Sequence, residues 1–240
     1  MVGAGTSILL TLNWPAVNHG AVQKALSVTT SADVGPAAWH RFSDTQLEYR
    51  PKNYWPAGTR VNVVAALDGV RTGKTTWGVR TTTSHFTIGR SQILRIDSLT
   101  HMMTVTRAGK LVRTIPVSLG QHTGTRRTRS GIKTIMGIER TVRMNSATVG
   151  ITGAGAYDQI VPYAMRITNS GEYVHGAPWS EWAQGHTDVS HGCTNISLAN
   201  ARWLYGNSLL GDVVETTGTG RAMGTGIDGA WNIAWSAWTA

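Results

Sequence analysis

Cysteine is nearly absent: the chain of 240 residues has one, Cys193. No internal disulfide can form, so a lone thiol is either a small buried hydrophobe or a reactive group. Long apolar runs are absent too. The longest stretches span a few residues, such as Ile8-Leu9-Leu10, against the ~20 that a membrane helix needs. No membrane span is expected. The N-terminus has no basic segment leading into an apolar one, so no signal peptide is read there. Charge is sparse, at 15% of residues, and acidic residues are the scarcer kind. Lys and Arg number 22 against 13 Asp and Glu, giving a net charge of +9. Such a balance attracts polyanions. Yet the cations are scattered, apart from Arg126-Arg127-Thr128-Arg129, which reads as a solvated loop. No helical basic stripe or RNA-binding aromatic motif is present, so no nucleic-acid partner is expected. No glycine-rich phosphate loop follows a strand, which removes nucleotide binding.

What is present points to strands. Glycine is abundant, at 28 residues, as are Ser and Thr, a β-rich and loop-rich profile rather than a helical bundle. Ser7–Leu12, Thr45–Arg50 and Arg60–Ala65 read as strands punctuated by Pro51, Pro56-Ala57-Gly58 and Thr72-Gly73. Asp68-Gly69 signals a hairpin returning at Val70-Arg71. This spacing suggests an immunoglobulin-type β-sandwich. Further strands are expected at 93–96, 101–106, 111–118, 141–144, 163–167 and 212–216, with a loop over 120–131. One helix is expected from the N-cap Ser197 through Tyr205. Trp231, Trp235 and Trp238 in the tail read as packing residues.

Cys193 sits in Ser190-His191-Gly192-Cys193-Thr194-Asn195, and His175 lies eighteen residues upstream. An imidazole near a thiol can take its proton and leave a nucleophilic thiolate. Gly192 lets a substrate approach the backbone, and the N–H groups of Gly192 and Cys193 are candidate donors to an oxyanion. This company favours a nucleophile over a buried hydrophobe. His175, His186, His191 and Cys193 also raise a zinc reading. There is one thiolate, no Cys-x-x-Cys and no His-Glu-x-x-His, so no metal or other cofactor is expected.

His175, fourteen intervening residues, then Ser190-His191-Gly192-Cys193-x-Asn195 resembles the signature of the L,D-transpeptidase catalytic domain, the YkuD-like fold. Val174-His175-Gly176-Ala177-Pro178-Trp179-Ser180 and Ala183-Gln184-Gly185-His186-Thr187 resemble its mycobacterial and actinobacterial branch. The likeness covers about 90–240 well and 1–90 more weakly. Thr194 departs from the apolar residue more usual there, and Gly176 from the serine of several relatives.

The resemblance implies a mainly β protein in three segments: an immunoglobulin-like module over 1–88, the catalytic domain over 89–217, and a Trp-rich tail over 218–240 packing on the body. It implies a peptidoglycan L,D-transpeptidase that forms 3→3 cross-links between stem peptides through a cysteine thioester and is acylated by carbapenems. Cys193 is then the nucleophile and His175 the base, with Gly176 orienting the imidazole through its carbonyl. His191 and Asn195 support the loop, with direct proton transfer open for His191. Tyr157, in the glycine-rich flap 153–157, covers the cleft, and Met144, Trp179, Ser180 and Ser190 line it. The expected location is outside the cytoplasmic membrane, with an export signal or anchor upstream of this chain. An L,D-carboxypeptidase, or a wall-binding protein with an inactive site, are the alternatives.

Overall fold

The computed structural model describes residues 1–149, 152–153 and 156–240. They form two compact units: Met1–Ser91 together with Ile233–Ala240, and Gln92–Asn232.

The first unit holds β1 (Ile8–Thr11), α1 (His19–Lys24), β2 (Leu26–Thr30), β3 (Ala37–Ser43), β4 (Gln46–Pro51), β5 (Arg60–Ala66) and β6 (Thr81–Thr87). Two antiparallel three-stranded sheets, β1-β4-β3 and β2-β5-β6, face each other. β5 shows why: buried Val61, Val63 and Ala65 alternate with more exposed neighbours, so one face is apolar. These side chains join Trp55, Ile88 and Ala4 in a core that Ile8 and Tyr49 close from the opposite sheet. The Asp68-Gly69 turn forms, with Val70 N–H donating to Leu67 O at 3.0 Å and Gly69 at φ +69°. However, the chain does not pair back at Val70. β5 takes its partner from Thr81 onward, with Ala66 opposite Thr81.

The tail does not stay together as one segment. Residues up to Asn232 belong with the second unit, and Ile233–Ala240 with the first. Trp238 (α3, Trp235–Trp238) is buried in the first unit, donates from Nε1 to Ala38 O at 3.0 Å and stacks on His40. The Arg50 guanidinium lies 4.3 Å from its ring centre and donates to Ile233 O.

The second unit contains β7 (Gln92–Asp97), β8 (Met102–Arg107), β9 (Lys110–Pro116), β10 (Gly131–Thr134), β11 (Gly137–Asn145), β12 (Asp158–Arg166), β13 (Tyr173–Gly176), β14 (Thr194–Ile196), α2 (Leu198–Asn207) and β15 (Val213–Thr217). One sheet runs β10-β15-β7-β8-β9, and the other β11-β12-β13-β14. Leu94, Ile96, Val105 and Val214 from the first meet Met165, Val174 and Ile196 from the second, with Leu204 of α2, in a single apolar cluster. Ser197 caps α2 as its sequence implies, accepting from Asn200 N at 3.3 Å. No helix among the described residues is long and apolar enough to cross a membrane.

Candidate functional site

The site is built on a parallel pair. β13 and β14 run side by side, with Val174 opposite Thr194, His175 opposite Asn195 and Gly176 opposite Ile196. Parallel neighbours need a crossover of roughly a dozen residues or more, and residues 177–193 supply seventeen. The spacing of the motif is therefore the length of a crossover. Successive side chains alternate between faces. Cys193 immediately precedes β14, two residues before the Asn195 that pairs with His175.

His175 is almost fully buried, and its Nδ1 lies 3.0 Å from Gly176 O. A carbonyl can only accept, so Nδ1 carries the hydrogen and Nε2 keeps a lone pair. Burial lowers the imidazole to about 4, against a small opposing pull from the Gly176 carbonyl. Gly176 can carry no side chain without crowding. A Cβ there would lie 3.2 Å from Pro162 and 3.3 Å from Ala201.

Cys193 is half-buried, and its thiol faces Gly171 O at 3.9 Å. Burial pushes the thiol up to about 12; the Tyr173 backbone pulls it down, Glu172 pushes it up and Lys133 pulls it down. Both shifts favour a neutral thiol and a neutral imidazole at rest.

The nucleophile loop is held from within. Ser190 Oγ donates to Cys193 O at 2.6 Å and accepts the Gly192 N–H at 3.0 Å. Gly192 N–H is therefore committed to Ser190, which leaves Cys193 N–H as the candidate oxyanion donor of the two expected. Gly192 sits at φ +131°, a region that favours glycine. Thr128 Oγ1 donates to Gly192 O and accepts from Gly120 N–H. Gly120 is packed so closely that a Cβ would lie 1.9 Å from Arg126 O and 2.8 Å from Gly192 Cα.

The other expected residues separate into two groups. Tyr157 stacks near His191, ring centres 4.8 Å apart, and its phenol is pushed up by burial and then by Cys193. His191 is lowered by burial and by Arg126. Trp179 is 46% exposed, and its ring centre is 6.1 Å from that of His175. Met144 lies on β11 opposite Gln159, two positions from Tyr157. By contrast, Ser180 and Asn195 are buried and bonded to each other, Asn195 Nδ2 donating to Ser180 Oγ at 3.0 Å. Ser180, Ser190 and Asn195 are thus internal braces, not exposed lining. Residues 154 and 155 of the expected flap lie outside the described residues.

The Arg126–Arg129 run is not a solvated stretch either. Arg126 donates to Gln121, Arg127 to His122 O and Arg129 to Glu172. Lys133 and Glu172, which no sequence pattern marks, meet behind the nucleophile, Nζ to Oε2 at 3.0 Å. Among the described residues, no three His, Cys, Asp or Glu side chains gather as a metal site.

Residues 91–216 match the L,D-transpeptidase catalytic domain family, YkuD, and residues 1–71 a bacterial Ig domain. The chain belongs to the L,D-transpeptidase family. It is 35% identical to L,D-transpeptidase 1 of Mycobacterium tuberculosis over 221 residues, covering 91% of this chain and 81% of that protein. It is 35% identical to L,D-transpeptidase 2 of the same organism over 244 residues, but spans 59% of that longer protein. A solved L,D-transpeptidase in complex with imipenem superposes with a TM-score of 0.78 at 34% identity, over 90% of this chain and 94% of that one. L,D-transpeptidase 3 of M. tuberculosis with a faropenem-derived adduct gives 0.72 at 28% identity, over 90% and 93%. These likenesses span both units, an immunoglobulin-like module and a mainly β catalytic domain of the L,D-transpeptidase family.

Proposed function

We propose that this L,D-transpeptidase forms 3→3 cross-links in peptidoglycan through a thioester on Cys193, outside the cytoplasmic membrane. The observation that supports the reading is the β13–β14 register, which pairs His175 with Asn195, two residues after Cys193, while Gly176 O fixes the imidazole tautomer.

The thiol proton passes to His175 Nε2 as sulfur attacks the carbonyl of the third residue of a donor stem peptide. The C–N bond to the terminal D-alanine breaks, and the leaving amine takes the proton from His175. Cys193 N–H faces the developing oxyanion. A side-chain amine from a diamino acid of a second stem then attacks the thioester, transferring the acyl group and restoring the thiol. Tyr157, His191 and Trp179 border the reacting atoms on the exposed side, with Met144 two positions further along. Water as the acceptor would make the same machine a carboxypeptidase.

Intact-protein mass spectrometry with a tetrapeptide donor tests the mechanism. The expected mass gain is the donor minus D-alanine, on Cys193 alone. Incubation with a carbapenem should likewise give an adduct that Cys193→Ala abolishes, with penicillins acylating poorly. An adduct retained in that variant overturns the mechanism.

A further inference from the structure

The buried charges behind the nucleophile have a pattern that fold stability alone does not call for. Glu172 ends the turn between β12 and β13 and is 4% exposed. Its Oε1 accepts from the Arg129 backbone N–H at 3.1 Å and from Arg129 Nη1 at 2.8 Å. Its Oε2 accepts from Lys133 Nζ at 3.0 Å. Lys133 side-chain atoms are wholly shut off from solvent, and Thr216 Oγ1 is the ammonium's other partner, at 3.4 Å. Two cations thus share one carboxylate. Burying such charges is costly, and an apolar pair of similar size often serves a core as well.

The cluster touches the nucleophile's own supports. Gly171 O, which faces the thiol, and the Tyr173 backbone, which bonds it, flank Glu172 in sequence. A Cβ on Gly192 would lie 4.0 Å from Glu172 Cγ. Burial lowers Lys133 from the ordinary ammonium range, and the ion pair and hydrogen bond to Glu172 oppose that; with Arg129 the cluster then sets two cations against one carboxylate. Thiol ionisation during attack adds the missing anion.

We propose that Lys133, held charged by Glu172, is a positioning residue that stabilises the Cys193 sulfur as negative charge develops on it. Glu172 keeps the ammonium in place and limits its field, so the thiol stays neutral until a carbonyl arrives. The proposal rests on the cysteine mechanism above. Other titratable groups that act on the sulfur are Tyr157 and Tyr173, with Arg221 beyond Arg129 and Glu172. They are common to every variant below.

The test is the pH dependence of Cys193 alkylation by iodoacetamide in the full chain, with thermal melting as the control for folding. Lys133→Met keeps the stem and removes the charge. Alkylation between pH 7 and 9 should slow about tenfold, the equivalent of about one pH unit in thiol ionisation. Lys133→Arg should keep the wild-type rate. In the double variant Lys133→Met/Glu172→Gln, Arg129 alone supplies the surplus charge, so the rate should return to within about threefold of wild type. A purely structural pair predicts the reverse: the double variant as damaged as the single one. An unchanged rate in Lys133→Met, or no recovery in the double variant, overturns the proposal. If Lys133→Met does not fold, Glu172→Gln, which removes the carboxylate from both cations, should alkylate about tenfold faster than wild type, and an unchanged rate there overturns the proposal. Alkylation requires no stem peptide, so failure of the thioester assay would sink the mechanism without touching this comparison.

Discussion

At the residue scale, the site stores its reactivity as two neutral groups. Cys193→Ala removes the proposed acyl acceptor, so the proposed cross-linking should fall by more than ~1000-fold while the melting temperature stays near wild type. A residual rate within tenfold of wild type, measured by release of D-alanine, would rule out the thioester. The buried imidazole also leaves a mark on stability. His175 is held near 4 in the folded chain against 6.5 in the unfolded one. Between those values the unfolded chain binds a proton that the folded one refuses, so stability falls as pH drops from 6.5 toward 4. The loss approaches ~3 kcal/mol. The thiol acts at the other end: raised from 9.0 to about 12, it costs stability as pH climbs through that range. Denaturant titrations of wild type and His175→Gln at pH 7 and pH 4.5 check the first window. The variant should lose less on acidification, and equal losses would contradict the assigned burial effect.

The same scale shows what a local pattern can carry. Cys193 and His175 are legible because their chemistry depends on near neighbours and on a spacing that equals a crossover length. The commitment of Gly192 N–H to Ser190 Oγ is not legible, because it depends on which way one hydroxyl turns. Lys133 and Glu172 lie 39 residues apart, and only the folded sheets bring them together. A run such as Arg126–Arg129 looks solvated in one dimension, but loop carbonyls and a carboxylate absorb its charges in three.

At the element scale, the nucleophile loop depends on the segment 118–130 lying against it. Ser118 and Asn195 exchange backbone hydrogen bonds at 3.0 and 2.8 Å, and Gln121 N–H donates to Ser190 O at 3.0 Å. Gly120 is the narrowest point. Gly120→Ala crowds Arg126 O, Gly192 Cα and Thr128 N at once, so it should cost at least ~2 kcal/mol and slow Cys193 alkylation, though it lies 73 positions away in sequence. Gly109→Ala, at a turn with φ +76° and open space around the Cβ, is the control: strained, but without effect on alkylation. If both variants alkylate like wild type, the loop does not need this contact. Strand identity was readable wherever alternation was clean, as in β5. β10 was not, because Gly131–Thr134 is a short edge strand with a buried lysine at its centre.

At the scale of the whole molecule, the boundary matters for any dissection. Removing residues 1–85 alone strips away the unit in which Trp238 is buried. That truncation should expose the tail tryptophan and aggregate, whereas residues 92–232 alone should stay soluble and still be alkylated at Cys193. Light scattering and labelling of the two fragments check this. A well-behaved 86–240 fragment would argue against the division. The Trp spacing in the tail was visible in the sequence, but its partner was not. Trp238 meets Ala38 and His40 nearly two hundred residues away, a pairing that no periodicity reports.

Because the last eight residues are captured by the first unit, the chain crosses between units twice, once near 91 and again near 232. The catalytic unit is thus an insertion in the sequence of the immunoglobulin-like one, with a chain connection at each of its ends. One cut by a protease at either crossing leaves a two-piece protein still joined through the second strand or through the anchored octapeptide. Under native conditions a singly nicked molecule should migrate intact on size exclusion and fall apart only in denaturant. The enzyme would then survive an injury that frees a domain attached in simple tandem.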